Sequence, residues 1–222
     1  MKTVLITGVG RGIGKALAQK FLAEKYFVIG TSLTGDVDFA SSDLLVHKMD
    51  LSIPDNIINC VEVIKNSGKK IDILINNSGA LFDEDDTKVV VEKLRKTLEV
   101  NLIGTIDFTE RLSETVSRGG HIINISSSAG SLGLAGHESH HEGYYPSYKI
   151  SKAALNMYTR TLALRLKGAI TVSSVHPGWV KTDMGGEEAQ ITPEEAAEAI
   201  FKLAISTPET GQFWFNGEKI IW

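Results

Sequence analysis

The sequence is poor in cysteine and has no excess of positive charge. Cys60 is the single cysteine among 222 residues, which excludes an internal disulfide framework and a metal site made only of cysteines. The 23 Lys and Arg residues are outnumbered by 27 Asp and Glu, and the net charge is −4. This charge argues against nucleic acid as a partner, because nucleic-acid-binding domains usually carry a basic patch.

Long apolar runs and low-complexity tracts are also absent. No segment approaches the roughly 18 apolar residues that a membrane span needs, and the apolar run at residues 3–7 is too short for a signal peptide. The chain is 42% hydrophobic and 23% charged, as is typical of a globular protein. We therefore expect a single domain over residues 1–222, cytoplasmic and without a membrane partner.

Short apolar runs rich in Val and Ile alternate with longer segments of helical period. Nearly continuous apolar runs are typical of strands buried on both faces. Their repeated alternation with helices predicts parallel strands with right-handed crossovers. The expected fold is α/β, with a doubly wound, mostly parallel seven-stranded sheet and helices on both faces. The seven predicted strands are Thr3–Thr7, Phe27–Thr31, Leu44–Lys48, Ile71–Ile75, Gly120–Ile125, Ala169–Val175 and Gln212–Phe215.

A glycine-rich loop follows the first predicted strand and opens the first helix. Glycines let the backbone turn tightly and approach a pyrophosphate, which then lies at the helix N-terminus. The strand before the loop and the helix after it favour nucleotide binding over a simple turn. The residues predicted to bind the nucleotide here are Gly8, Gly10, Arg11, Gly12, Ile13 and Gly14.

The end of the second predicted strand indicates which nucleotide is bound. NAD-dependent enzymes usually carry an acid there, which bonds the ribose 2′-hydroxyl, but this sequence has Ser32. A missing carboxylate removes repulsion toward a 2′-phosphate, and Arg11 can supply a planar cationic fork for it. Both features favour NADP(H). The nearby Asp36 keeps NAD(H) as the alternative, and Arg11 has the alternative role of a solvated residue at a helix start.

Tyr148 and Lys152 are four residues apart on a predicted helix and so share one face. An ammonium about 4 Å from a phenol would lower the phenol pKa from near 10 by up to about three units. Such a tyrosine suits general acid–base catalysis; its alternatives are a core aromatic or a surface residue. Tyr145 and Lys149 have the same spacing, but a residue before Pro146 is pushed out of helical geometry.

These motifs together resemble the short-chain dehydrogenase/reductase family over essentially the whole chain. Gly8, Gly12 and Gly14 match its T-G-x-x-x-G-x-G loop, and residues 76–80 (NNSGA) are similar to its N-N-A-G segment. The resemblance implies hydride transfer between a nicotinamide cofactor and a small carbonyl or alcohol substrate. It also implies that Ser127 holds the substrate oxygen beside Tyr148, and that Asn101 holds a water which relays protons through Lys152.

The same resemblance implies further cofactor contacts. An acid after the third strand often contacts adenine in the family, while a plain helix cap is the alternative role for it. Leu33 stands where many NADP(H)-dependent members carry a second basic residue. The asparagines after the fourth strand, among them Asn76, are expected to form a cofactor wall or a sheet brace, and the segment after the sixth strand to lie along the nicotinamide. The residues implied are Asp50, Leu51, Asn77, Gly79, Tyr148, Lys152, Pro177, Gly178, Val180 and Thr182.

The sequence departs from the compact family pattern between Ser127 and Tyr148, which are separated by 20 residues. The extra stretch, residues 136–143, contains three histidines and two glutamates, and we expect a substrate loop there and no metal. Trp179, Met184 and Tyr144 are candidate apolar walls of the pocket. The Met-Gly-Gly run at residues 184–186 and the final segment, residues 211–222, look like the small carbonyl-reductase branch that contains the sniffer and C-factor proteins.

Two other functions share part of this set of motifs. The first is an NADP(H)-binding sensing or signalling protein with little turnover, although binding alone does not require Tyr148. The second is a sugar-nucleotide epimerase, which needs a sizeable C-terminal substrate domain, and only about 40 residues follow Thr182. The predicted helices Lys88–Ser117 and Tyr148–Lys167 carry apolar residues on more than one face, which predicts a homodimer or homotetramer.

Overall fold

The computed structural model describes residues 1–135 and 143–222. Among these residues, eight strands form one sheet in the order β3-β2-β1-β4-β5-β6-β7-β8. The strands are β1 (Thr3–Thr7), β2 (Phe27–Ser32), β3 (Leu44–Lys48), β4 (Ile71–Asn76), β5 (Val116–Ile125), β6 (Thr171–Val175), β7 (Gln212–Phe215) and β8 (Glu218–Lys219).

The helices flank this sheet. They are α1 (Gly12–Ala23), α2 (Pro54–Asn66), α3 (Val91–Leu98), α4 (Thr105–Leu112), α5 (Pro146–Arg165) and α6 (Pro193–Ile205). A π-helix, Glu99–Gly104, joins α3 to α4, and short 3₁₀ turns cover Ser113–Thr115 and Ser128–Gly130. Of the helices in the described ranges, none is both long enough and apolar enough to cross a bilayer.

The predicted doubly wound sheet is confirmed. Strands β1 to β7 are parallel, and β1 lies between β2 and β4, so the chain runs to opposite sides of the sheet from this point. A crevice opens at the carboxyl ends of the strands at such a switch point, and it is the usual ligand site of the fold.

The predicted strand count of seven was one too low. An eighth strand of two residues, β8, pairs antiparallel with β7. The two are joined by Asn216 and Gly217, which have φ values of 47° and 82°. Asn-Gly with two positive φ angles is the preferred two-residue hairpin turn, so this dipeptide was the overlooked signal.

The predicted single helix over Lys88–Ser117 was also wrong. Helical backbone begins at Val91, passes through the π-helix at residues 99–104, and ends its α-helical part at Leu112. β5 then begins at Val116, four residues before the predicted start of that strand. The π-helix within this segment is a candidate functional feature, because π-helical turns inside α-helices are frequently found at functional sites.

Two hydrophobic clusters cover the two faces of the sheet. On one face α1 packs against α6, with the rings of Phe21 and Phe201 in edge contact at 4.9 Å between centroids. On the other face α2, α4 and α5 contribute Ile57, Phe108 and Leu162, each 2% exposed or less. With both faces covered, the sheet exposes its carboxyl edge, where the chain leaves β1, β4, β5 and β6.

The pKa of one buried histidine in this core is unusually low. His121 lies on β5, 4% exposed, with Nε2 2.8 Å from Ser173 Oγ and Nδ1 3.4 Å from the Ala204 carbonyl oxygen. Burial lowers its pKa from 6.5 to about 4. The neutral ring satisfies both contacts when Nδ1–H donates to the carbonyl and Nε2 accepts from the serine.

The stability of the protein is therefore expected to fall in mild acid. Between pH 6.5 and about 4 the unfolded chain binds a proton at His121 that the folded chain does not, so the free energy of unfolding decreases as pH decreases. At about pH 5 the loss relative to neutral pH is about 2 kcal/mol. Urea denaturation at both pH values measures it, and His121→Gln should remove this part of the pH dependence. An unchanged slope in the variant would show that other groups cause the loss.

Candidate active site at the carboxyl edge of the sheet

The glycine-rich loop forms a tight cradle between β1 and α1. Gly8 and Gly12 have φ values of 76° and 54°, which favour glycine. A Cβ at Gly14 would lie 2.1 Å from the Gly8 carbonyl oxygen, so no side chain fits where the helix meets the turn. The loop is fixed to β2, because the N–H groups of Gly8 and Val9 both donate to the Thr31 carbonyl at 2.9 Å.

The first turn of α1 is arranged to receive an anion. Its N-cap residue, Arg11, makes no side-chain cap, and the first turn, which contains Ile13, has no acidic residue. The N–H groups of an uncapped helix start point outward and attract negative charge. The cradle and the uncapped turn together fit the pyrophosphate of a dinucleotide, as the glycine spacing predicts.

The two residues predicted to favour NADP(H), Ser32 and Arg11, have different partners in the structure. Ser32 lies beside the loop, where a Cβ on Gly10 would be 3.7 Å from the Ser32 Cβ. Its hydroxyl accepts from the Gly35 N–H at 2.9 Å and donates to the Asp36 carbonyl at 3.1 Å. The exposed Arg11 guanidinium forms an ion pair with Asp183, from the loop after β6. Arg11 is therefore engaged across the cleft and not at the end of β2.

The residues after β3 are held locally. The Asp50 carboxylate accepts the backbone N–H and the hydroxyl of Ser52 at 2.8 and 2.7 Å. These bonds lie within the turn before α2 and are not the helix cap that was the alternative to adenine contact, because the N-cap residue of α2 is Ile53. Leu51 is buried, and its carbonyl oxygen would lie 2.0 Å from a Cβ on Gly104, so the turn packs directly on the π-helix.

The asparagines after β4 brace the crevice. Asn77 Nδ2 donates to the Thr7 carbonyl at 2.9 Å, and the Thr7 hydroxyl accepts from the backbone N–H of Asn77 and Ser78. Asn76 Nδ2, fully within the core, donates to Asn124 Oδ1 at 2.8 Å. These hydrogen bonds join the ends of β1, β4 and β5. The sheet brace was one of the two roles predicted for these asparagines.

Three predicted groups converge where β5 ends and α5 begins. The Ser127 hydroxyl lies beside the Tyr148 phenol and acts to lower its pKa, and Lys152 Nζ lies 5.5 Å from the centre of the Tyr148 ring. The neighbouring serines are engaged elsewhere: Ser126 with the Lys152 carbonyl, and Ser128 with His176. Of the three consecutive serines, Ser127 is the one that contacts the tyrosine.

Tyr145 is outside the helix, as the proline after it predicted. It is the N-cap residue of α5, with φ 23° and ψ 62°. Lys149 Nζ lies 4.9 Å from the centre of the Tyr145 ring and donates to the Gly143 carbonyl at 2.7 Å. Tyr145 and Lys149 thus contact each other at the mouth, on the segment that leaves residues 136–142. Those seven residues, with all three histidines of the expected substrate loop, lie outside the described ranges.

Burial opposes the pKa change that the Tyr148–Lys152 spacing predicted. Lys152 is 4% exposed and donates to the Ile125 carbonyl at 2.9 Å. Removal from water lowers the Lys152 pKa from 10.5 to about 8 and raises the Tyr148 pKa from 10.0 to about 12. The Ser127 hydrogen bond acts against the rise at Tyr148 without reversing it. The expected lowering by up to three units was wrong for this state, because desolvation disfavours the charged form of both groups.

Asn101 lies in the π-helix, which accounts for an asparagine in the middle of a helical segment. Its Oδ1 accepts the Ala80 N–H at 2.7 Å, and its Nδ2 donates to the Ala80 carbonyl and to Ser151 Oγ. A Cβ on Gly79 would lie 3.6 Å from both Asn101 Oδ1 and Lys152 Nζ. The absence of a side chain at Gly79 leaves a small space between these two polar groups.

The loop after β6 closes the other side of the crevice. Pro177 leads to Gly178, whose φ is 90°, and Val180 is buried and bridges to Ile191. A Cβ on Gly12 would be 3.1 Å from Thr182 Cγ2. The loop after β6 therefore lies directly against the glycine-rich cradle.

Sequence reasoning missed one residue of this region, Asp83. It follows β4 in the chain, is fully buried, and its Oδ2 accepts the backbone N–H of Ser147 in the first turn of α5. The signal was hidden in an acidic stretch, residues 83–86 (DEDD), which reads as a solvated loop. Only the tertiary contact distinguishes the first acid from the others.

Comparison with known proteins agrees with this geometry. The short chain dehydrogenase family model matches residues 2–192. A 1-hydroxy-2-glutathionyl-2-methyl-3-butene dehydrogenase of Rhodococcus is 29% identical over 221 residues, covering 96% of each chain. The NADPH-bound carbonyl reductase from chicken fatty liver superimposes with a TM-score of 0.90 at 26% identity, covering 100% of this chain and 94% of that one. The carbonyl reductase Sniffer of Drosophila melanogaster gives 0.84 at 26% identity with full coverage of both. The chain belongs to the short-chain dehydrogenase/reductase family.

Proposed function

We propose that this protein is an NADP(H)-dependent carbonyl reductase that acts on small, largely apolar carbonyl compounds and, in reverse, on the alcohols. The observation that carries the proposal is the Ser127–Tyr148–Lys152 cluster, set beside a glycine cradle that fits a dinucleotide. The chicken carbonyl reductase, whose structure holds NADPH, supports the choice of cofactor. When bound, the cofactor supplies a hydride from nicotinamide C4 to the carbonyl carbon.

The chain's own residues handle the oxygen and the proton. Ser127 donates a hydrogen bond to the substrate oxygen and holds it next to Tyr148. The Tyr148 hydroxyl, kept protonated by its raised pKa, gives its proton to that oxygen as the alcohol forms. The Lys152 ammonium then stabilises the remaining phenolate, while Asn101 and the π-helix fix the floor of the site.

The exposed side chains of the loops after β5 and β6 support an apolar substrate. Large apolar surface is exposed on these loops by Leu132, Tyr144, Trp179 and Met184. Trp179 is oriented by a hydrogen bond from its Nε1 to the Gly185 carbonyl at 2.7 Å. The alternative of a sensing protein without turnover has no comparable support, since a nucleotide sensor does not need the serine–tyrosine contact.

Replacing the proton donor tests the chemistry. Tyr148→Phe removes the hydroxyl and keeps the ring, so NADPH should still bind while kcat falls by about 10²- to 10⁴-fold. The measurement is NADPH oxidation with a panel of aldehydes, ketones and diketones, run with NADH in parallel. Turnover that survives in the variant would overturn the assignment, and silence of the wild type with tight NADPH binding would favour the sensing role.

The Arg11–Asp183 ion pair bears on cofactor choice. We propose that Arg11 binds the 2′-phosphate and that Asp183 competes with the phosphate for it. Asp183→Asn should lower the KM for NADPH about two- to fivefold, the range for breaking an exposed ion pair, and leave the KM for NADH unchanged. Arg11→Ala should raise the KM for NADPH more than that for NADH. Glu62→Gln, which neutralises an exposed acid on α2 with no proposed cofactor contact, is the control, and an equal effect there would show a general charge effect.

We also propose a homodimer or homotetramer formed through α4, α5 and the π-helix. Leu155 and Leu162 are buried against the sheet, whereas Ile103, Met157 and Leu164 are 50–76% exposed on the outer surface of these helices. Contiguous apolar surface of this kind marks interaction sites. Sedimentation at micromolar concentration should show no monomer, and Met157→Glu should release it. A wild-type monomer would overturn the proposal.

A further inference from the structure

The most unusual group outside the three catalytic side chains is the Asp83 carboxylate. It is fully buried, and one of its oxygens accepts the Ser147 backbone N–H. Its other oxygen, Oδ1, and the buried Ser147 hydroxyl have no hydrogen-bond partner among the described residues. No cation in the described ranges forms an ion pair with Asp83. A carboxylate held this way is costly to bury, so the site requires an explanation beyond packing.

The helix that Asp83 touches does not cap itself. The side chain of the N-cap residue of α5, Tyr145, does not cap the helix, and the first turn contains no acidic residue. Pro146 has no N–H, so the Ser147 N–H is the first that needs an acceptor. Asp83 supplies that acceptor from 64 positions away in the chain, and its charge is favourable at the positive end of the helix dipole.

We propose that Asp83 is a positioning residue for the catalytic tyrosine: it caps α5 from outside the helix and fixes Tyr148 opposite Ser127. This inference rests on the proposed function and deepens it. Ser147 directly precedes Tyr148, so a shift of the first turn moves the phenol relative to the end of β5. The segment that carries Asp83 is itself held, since both backbone groups of Ala80 bond to Asn101.

A second set of hydrogen bonds, between Asn101, Ser151 and the Tyr148 carbonyl, also holds the start of α5. Asn101 Nδ2 also donates to Ser151 Oγ, which in turn donates to the Tyr148 carbonyl. The start of α5 is thus joined to residues 80–83 and to the π-helix at two successive turns. Asp83 controls the first of these turns, and Asn101 the second.

Three variants separate the effect of the hydrogen bond between Asp83 and the Ser147 N–H from the effect of the Asp83 charge. Asp83→Ala removes both and should lower kcat about tenfold or more, because small misplacements of a catalytic group are that costly. Asp83→Asn keeps an oxygen that can accept the Ser147 N–H and loses the charge, so kcat should fall only about two- to fivefold. Asp85→Asn, an exposed acid of the same stretch, is the control and should match the wild type. The Kd for NADPH, followed by tryptophan fluorescence, should be unchanged in all three.

The outcomes are decisive in either direction. A kcat of Asp83→Ala equal to that of Asp85→Asn overturns the proposal, as does a loss of kcat that only parallels a loss of NADPH binding. If Asp83→Ala does not fold, Asp83→Asn decides: a lowered kcat at unchanged Kd supports the proposal, and an unchanged kcat overturns it.

A readout without turnover keeps this test separate from that of the proposed function. If the wild type reduces no carbonyl compound, the proposed function fails, and amide hydrogen exchange at Ser147 and Tyr148 is compared in the wild type, Asp83→Ala and Asp85→Asn. Loss of the acceptor for the Ser147 N–H should loosen the first turn of α5 and speed exchange in Asp83→Ala, whereas Asp85→Asn should match the wild type. Unchanged exchange in Asp83→Ala would overturn the inference.

Discussion

The burial of the Lys152 ammonium is the constraint on which the site depends. A cation removed from water must keep its hydrogen bonds, and here the Ile125 carbonyl at the end of β5 provides one at 2.9 Å. That bond holds the middle of α5 against the carboxyl edge of the sheet. It also places the ammonium by the Tyr148 ring, in a region where desolvation keeps the phenol protonated. In the proposed mechanism, a protonated phenol gives its proton to the carbonyl oxygen, and the neighbouring ammonium stabilises the phenolate that remains.

The same constraint explains the composition of α5. The buried stripe of this helix is unusually polar, and it includes Ser147, Ser151, Asn156 and Thr159. Asn124 donates to the Thr159 hydroxyl at 2.8 Å, and Asn156 accepts from Ser174 at 2.7 Å. Directional bonds specify the position of a helix more narrowly than apolar contact does. The helix that carries the proton donor is therefore fixed by hydrogen bonds along its length, while apolar clusters on the two sheet faces supply the stability.

Most of the fold could be predicted from the sequence, because hydrophobic periodicity and the glycine-rich loop are both local signals. Apolar runs and helical periods gave every parallel strand, three of them with the observed bounds, and the glycine loop was recognisable between β1 and α1. The eighth strand and the π-helix at residues 99–104 were not predicted, because an Asn-Gly hairpin and a π-helix leave only faint traces in hydrophobic periodicity. The Arg11–Asp183 pair and the Asp83 cap join residues 172 and 64 positions apart. No pattern along one sequence can show such contacts, and burial, which reversed the expected pKa shift of Tyr148, is likewise a property of the folded chain.

The two ends of the cleft are built on opposite electrostatic principles. Between the glycine-rich loop and the loop after β6, the charged groups are exposed, with Arg11 and Asp183 more than 70% accessible at their side chains. Such pairs are screened by water and rearrange at little cost. At the end of β5, Lys152, Asn101 and Asp83 are each less than 5% exposed, and a change to any of them leaves a neighbour unpaired inside the protein, which is expensive. With the proposed roles, single surface substitutions can alter cofactor preference, whereas the buried proton-transfer site tolerates change only when its partners change with it.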